Sequence, residues 1–550
     1  MKKLCLLVLL LSLLSCGPNS EEKQLKTFVE SYTEQVKPLH KKANLAYWRA
    51  ATTGNEQAFQ ESGNAELEIR KTHSDSQKFA LLNSLKESAQ INDPLLQRQL
   101  TVLYNRFLKN QIDPDLLKSI VDKQTEIEQK FSTFRPVVNG DTLNNNRIEK
   151  VLKNEINSKV RQQIWSASKK VGAHVAPDII ELVKYRNKAA QSIGFPDYHS
   201  MSLIVSEQSP AEIDEIFRDL EERTNEPFMN IKAELDSVLA DMYGVGITGL
   251  MPWHYHDPFF QETPLVYEID LDPFYADHDV VDLAQTFYEG IGLPVDSILA
   301  HSDLYERKGK NPHAFCIDID RQGDVRILCN VKNNERWMET MLHELGHAVY
   351  DRYMSLDTPY ILREPAHAFT TEGIAMLFGR QSRDAEWMRH MLDLSQEEYN
   401  EIKTITEKYA QLKQLIFARW AMVMYQFEKA LYSDPNQDLN QLWWSLVQHY
   451  QLISKPTDRD KPDWAAKIHI ALYPCYYHNY LLGELFASQL HHHIIESDNN
   501  KTVFAGNRKI GSYLKKNVFI PANTMPWDEM IRQATGEPLS ALYFVHQFVN

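Results

Sequence analysis

The stretch His343-Glu344-Leu345-Gly346-His347 carries residue types at a spacing that could do chemistry. Two histidines four apart on a helix project from one face, one turn above the other. At that separation two imidazoles can bind one Zn²⁺ at about 2.0–2.1 Å each. Glu344, beside the first histidine, can reach a water at such a metal without ligating it, the position of a general base. Apolar residues at Trp337, Met341, Leu342, Leu345, Ala348 and Val349 predict a helix here. An amphipathic helix with two surface histidines is the other reading of the same pattern.

A catalytic zinc needs a third protein ligand and an open fourth position. The extended motif with glycine and a third histidine is excluded, because Tyr350 and Tyr353 occupy those places. A glutamate on a following helix is the alternative. Glu372 lies 25 residues beyond His347, early in the helical run HAFTTEGIAMLFGR, with Thr370 or Thr371 as its expected cap. Glu364 and His367 compete nearby, but Pro365 and a loop-like composition aim them less rigidly.

The elements that must hold these residues are mostly helices. LLQRQLTVLYNRFLKNQ, DLLKSIVDKQTEIEQKF and the long run after Ser209-Pro210 place apolar residues at three- and four-residue steps. Asp115 and Ser209 are the expected starts of two of them. Strand signals are few: a hairpin at about 315–330, and more weakly LVYEIDL. A turn at Arg321-Gln322-Gly323-Asp324 sets Cys316 opposite Cys329, so a cross-strand disulfide and two free buried thiols are both open. The Gly- and Pro-rich break at YGVGITGLMPWHYHDPFFQETP reads as a loop that shapes a cleft rather than a domain boundary.

The chain has 550 residues with 43% hydrophobic and 24% charged content, the make-up of an ordinary globular protein. A formal net charge of −15 and the lack of any basic stripe argue against a nucleic-acid partner. The N-terminus, MKKLCLLVLLLSLLSCGPNS, has two lysines and then an apolar run too short for an ordinary membrane span, which is the form of an export signal. Leu13-Leu14-Ser15-Cys16 resembles a bacterial lipoprotein box; an ordinary cleaved signal with an incidental cysteine is the alternative. The expected organisation is a signal at 1–15, lipidation at Cys16, a tether over 16–25 and one helical domain over 26–550. The protein is then exported and held at a bacterial membrane by its lipid alone.

Taken together, these stretches resemble the angiotensin-converting-enzyme family of zinc peptidyl-dipeptidases over nearly the whole mature chain. FVESYTEQVKPLHKKANLAYWRAATTG looks like the family's lid helices, and LVKYRNKAAQSIGFPDY like its helix ending in Gly-Phe-Pro-Asp-Tyr. His313-Ala314, 30 residues before His343, falls where the family lines its cleft beside the substrate backbone. KIHIALYPCYYHNY resembles the segment supplying Lys467, His469, Tyr477 and Tyr480, with one residue inserted after His469.

The resemblance implies one catalytic Zn²⁺ on His343, His347 and Glu372, with Glu344 as general base. It implies Tyr480 and His469 as donors to the developing oxyanion, and Lys467 and Tyr477 as the grip on a substrate's C-terminal carboxylate. From residue type alone, Lys467 is a solvated lysine and the tyrosines are core packing. Three positions depart from the family. Met376 stands where an aspartate orients a zinc histidine, Asn479 where an arginine binds chloride, and Tyr255 or His256 where a glutamine helps hold the carboxylate.

The expected fold is mainly α: a two-lobed ellipsoid with a deep cleft and a small hairpin beside the zinc helix. The expected activity is hydrolysis of oligopeptides by a monomer, releasing C-terminal dipeptides. A zinc endopeptidase of the thimet-oligopeptidase or oligoendopeptidase type is a second reading. A peptide-binding lipoprotein that has lost turnover is a third, which Met376 favours and the intact His343, Glu344, His347 and Glu372 oppose.

Overall fold

The computed structural model describes residues 19–266, 270–497 and 503–549. The chain is 69% helix, with two small antiparallel two-stranded sheets, so the mainly α expectation holds. Local sequence accounts for the helix ends. Ser209 caps Pro210–Tyr243 through its side chain, and Gly244 closes that helix in the left-handed conformation. The helix expected from Asp115 is capped by Asp113, because Pro114 takes the first helical position and brings Asp115 inside.

The expected tether over 16–25 is corrected from residue 20 onward. Asn19 caps a helix running Ser20–Thr53. Its start is fixed from outside: the Glu22 carboxylate accepts the N–H groups of Asn92 and Asp93 at 2.9 and 3.2 Å, and Leu25 is fully buried. The signal and Cys16 lie outside the described residues, as do residues 267–269 in the middle of the weaker strand candidate. The described ends of that candidate, Leu265, Val266, Asp270 and Leu271, are not in a strand. No helix among the described residues is long and apolar enough to cross a membrane.

The apolar interior falls into two clusters. The smaller joins the Ser20–Thr53 helix to Ser76–Ser88, Pro94–Leu108 and the turn Tyr360–Leu362. The larger holds most of the remaining helices and the hairpin. From the first helix, Asn44 Nδ2 donates to the Asp318 carbonyl at 2.9 Å and Trp48 meets the Phe315 ring edge-on, so this helix lies against the hairpin.

That hairpin pairs Phe315–Asp318 with Val325–Leu328 beside the histidine helix. Its register differs from the expected one. Cys316 lies opposite Ile327, and Cys316 and Cys329 are both free thiols. The loop is the cause. Asp318 Oδ1 accepts the N–H groups of Asp320 and Arg321, and Arg321 turns left-handed at φ 56°, which moves the turn one residue toward the N-terminus. A one-residue shift of the turn displaces the partners by two residues, about 7 Å along the strand.

Three helices meet at the centre of the larger cluster: Glu335–Arg352, Ala368–Gly379 and His478–Ser497. Their approach is too close for side chains at two contacts. A Cβ on Gly346 would lie 2.7 Å from Ala375 Cα, and one on Gly373 would lie 2.7 Å from Phe486 Cδ1 and 3.0 Å from the Gly483 carbonyl. Gly346→Ala must therefore push the first two helices apart, against backbone that cannot yield. Chemical denaturation should show a loss of about 1–3 kcal/mol, whereas a neutral result would mean these helices slide freely.

Candidate active site

Asn334 sets the start of the histidine helix, its Oδ1 accepting Trp337 N–H at 3.0 Å, and Glu344 is buried beside His343 and His347. The next helix begins at Ala368, and its cap is His367, not Thr370 or Thr371. His367 Nδ1 accepts Phe369 N–H at 3.1 Å while Thr370 Oγ1 accepts His367 N–H at 3.2 Å. Burial holds His367 down to about 4, so the ring is neutral and can accept. Glu364 is also spoken for, bound by Arg106 and Arg321. Neither competitor is free for a metal.

Glu372 is. Its Oε2 lies 3.7 Å from His343 Nε2 and 3.8 Å from His347 Nε2, and the three form the one cluster of this kind among the described residues. Tetrahedral zinc with bonds near 2.0–2.1 Å spaces its ligand atoms about 3.3–3.5 Å apart, so the triad fits such an ion with small movements.

The electrostatics point the same way. Burial lowers both histidines, leaving neutral rings with free lone pairs. Burial and then the Glu484 charge push Glu372 up to about 7; burial and then Glu372 push Glu344 up to about 8. Half-buried lone-pair donors, short of positive charge, make a site that a divalent cation would satisfy.

His347 is oriented from behind. Its Nδ1 lies 2.7 Å from Thr371 Oγ1, so Nδ1–H donates to the hydroxyl and Nε2 keeps its lone pair for the metal side. Thr371 thus fixes an imidazole where Met376 cannot. Met376 instead meets Gly483, its Sδ 3.2 Å from where a Cβ there would lie.

An open cavity of about 410 Å³ faces the triad, with Ala314, Cys316, Glu344 and Asp351 on its wall. His313 itself is exposed, its N–H donating to Asn311 Oδ1. On the Glu372 side stand the aromatic residues. Burial and then the nearby Glu372 charge raise the Tyr480 hydroxyl, and its ring is 5.4 Å from that of Tyr477. Tyr477 in turn is 5.4 Å from the His469 ring. His469 Nδ1 is buried and has no hydrogen-bond partner among the described residues.

Lys467 is not a solvated lysine. It is buried, with Nζ 5.2 to 5.6 Å from the ring centres of Phe259, Trp420 and Tyr477, and it donates to Gln261 Oε1 at 2.5 Å. Burial, opposed by Asp257 and Glu262, brings it down to about 8. Gln261 is the residue that sequence reasoning missed. Tyr255 is tied to Lys232 and Asp236, and His256 to Tyr243 and the Leu265 N–H, so neither reaches the lysine. Asp257 bends the chain back by accepting the N–H groups of Phe259, Gln261 and Glu262, which delivers a glutamine several residues later than the spacing suggests. Asn479 accepts from Gln208 and is a neutral, bonded amide.

A paired-histidine helix, a glutamate from the next helix and a buried carboxylate beside them define a metallopeptidase site on a helical scaffold. The sequence model of the angiotensin-converting enzyme peptidases matches residues 19–254 and 270–548, and the chain belongs to that family.

Thr371→Val should weaken metal binding about 10–100-fold in a chelator competition assay, and Thr371→Ser should restore most of it. Equal affinities for valine and wild type would remove Thr371 from the orienting role.

Proposed function

We propose that this protein is a zinc peptidyl-dipeptidase that shortens oligopeptides from their carboxyl ends. The observation that carries this reading is the Lys467–Gln261 pair in its aromatic surround, one tyrosine away from Tyr480 and the metal triad. A buried ammonium with an amide beside it suits a free carboxylate. An endopeptidase has no use for such a group near the reacting bond.

His343, His347 and Glu372 would hold the zinc, which when bound polarises the scissile carbonyl and acidifies water. Glu344 takes a proton from the attacking water and returns it to the leaving amine. Tyr480 keeps its proton because burial, then Glu372, raises its hydroxyl, so it donates to the oxygen that gains charge. His469, held down to about 4 by burial and then by Lys467, is neutral and offers its unpartnered nitrogen to the substrate. Lys467, Gln261 and Tyr477 bind the terminal carboxylate and so set which bond reaches the metal.

Export through the N-terminal signal, anchoring by a lipid on Cys16 and action as a monomer are part of the same proposal; the apolar run and the Leu-Leu-Ser-Cys sequence support the first two.

A peptide with a free C-terminus should lose an intact dipeptide in mass spectrometry, and its C-terminal amide should be cut at least about 100-fold more slowly. Cleavage indifferent to amidation would favour the endopeptidase. Glu344→Gln should abolish hydrolysis while zinc still binds; unchanged turnover would defeat the mechanism.

Lys467 is a cation below about pH 8 and loses its charge above it. For free-carboxylate substrates kcat/KM should therefore fall as pH rises past about 8, chiefly through KM. Lys467→Arg should move that limb upward; a limb that stays in place would belong to another group.

A further inference from the structure

One carboxylate in the cavity has no task in this mechanism. Asp351 sits one turn beyond His347 on the same helix face and lines the cavity with Cys316 and Glu344. It makes no hydrogen bond or ion pair among the described residues. Behind it lies Asp318, whose charge adds to burial in raising the affinity of Asp351 for protons, with only Oδ1 of Asp318 occupied by backbone N–H groups. Arg321 is the neighbouring guanidinium, but Glu364 holds it, and Glu364 also binds Arg106. Of the other groups near Arg321, His40 is neutral, held down to about 4 by burial, Lys41 pairs with Asp320, and Arg363 donates to the backbone carbonyls of Thr358, Arg321 and Leu356 rather than to a carboxylate. Among the described residues no cation is paired with Asp351, so this carboxylate is short of a positive partner.

The position of this wall gives the shortage a meaning. Lys467 meets Tyr477, Tyr477 meets Tyr480, and Tyr480 adjoins Glu372 of the metal triad. On the cavity wall, which those aromatic residues do not line, Glu344 adjoins Cys316, and Cys316 adjoins Asp351 and Asp318. A peptide whose terminal carboxylate is at Lys467 and whose scissile carbonyl is at the triad must therefore send its amino-side residues toward Asp351. This orientation rests on the dipeptidase reading.

From this geometry we infer that Asp351, backed by Asp318, is a subsite for a cationic group on the amino side of the scissile bond. A lysine or arginine side chain fits it, and so does the α-ammonium of a short peptide. The enzyme is then selective for basic peptides.

The test uses the zinc-loaded full-length protein and N-acetylated peptides of one length. They carry lysine or norleucine at the first, second or third position before the scissile bond. Wild type should prefer lysine by about tenfold in kcat/KM at one of these positions, an energy of about 1.4 kcal/mol. In Asp351→Asn that ratio should fall to within about twofold, and Asp351→Glu should keep part of it. Unacetylated norleucine peptides form the second arm. A preference for the free amine that Asp351→Asn removes would assign the subsite to the peptide's amino terminus. Equal ratios in wild type and Asp351→Asn in both arms would overturn the inference. Absence of cleavage two residues from the carboxyl end would instead defeat the dipeptidase reading. Equilibrium binding of the same peptides to Glu344→Gln, with and without Asp351→Asn, then decides the subsite without turnover.

Discussion

The site depends on how closely three helices can approach. His343 and His347 come from one helix and Glu372 from the next, and their ligand atoms converge only because Gly346 lets Ala375 Cα come within the space a side chain would need. Gly373 does the same against the helix that carries Tyr480. Within such a packed interior, sub-ångström changes in helix separation are resisted, so the triad is held in place before any ion arrives. Burial heads the causes of the shifts at His343, His347, Glu344 and Glu372, while the cavity leaves the three ligand side chains half-buried and reachable.

Charged groups are linked through successive contacts. The buried Lys467 ammonium meets Tyr477, Tyr477 meets Tyr480 beside the triad, and the unpaired Asp351 carboxylate lines the cavity that the triad faces. A peptide carries a carboxylate, a polarisable carbonyl and, toward its amino side, an ammonium in that same order. The hairpin strand Phe315–Asp318 supplies backbone along the cavity wall, and the Ser20–Thr53 helix lies against it. That helix belongs to the smaller apolar cluster, so the part of the molecule covering the hairpin has a core of its own.

Two side chains take over work that the sequence assigned elsewhere. Thr371 orients His347 with a neutral hydroxyl, so the imidazole receives a hydrogen-bond acceptor without an added negative charge. Gln261 reaches Lys467 because Asp257 gathers three backbone N–H groups and reverses the chain. Neither was visible in advance. A threonine one residue before a ligand reads as a helix cap, and a glutamine in an irregular loop has no period from which to place it.

The amino-acid sequence by itself determined the helical class, the His343–Glu344–His347 face and the choice of Glu372. The first two rest on the fixed 3.6-residue repeat, which links spacing to direction, and the third on the helical run that carries Glu372 beside loop-like competitors. It also named Lys467, His469, Tyr477 and Tyr480, through resemblance rather than through periodicity. The tertiary structure decided what spacing cannot encode. It turned residues 20–25 from a tether into helix, because Glu22 finds its partners seventy positions away at Asn92 and Asp93. It shifted the hairpin and left Cys316 and Cys329 as thiols, because side-chain hydrogen bonds within the loop set the register. It also left Asp351 without a partner in the cavity: a carboxylate's neighbours come from separate segments, and only the folded chain brings those segments together or fails to.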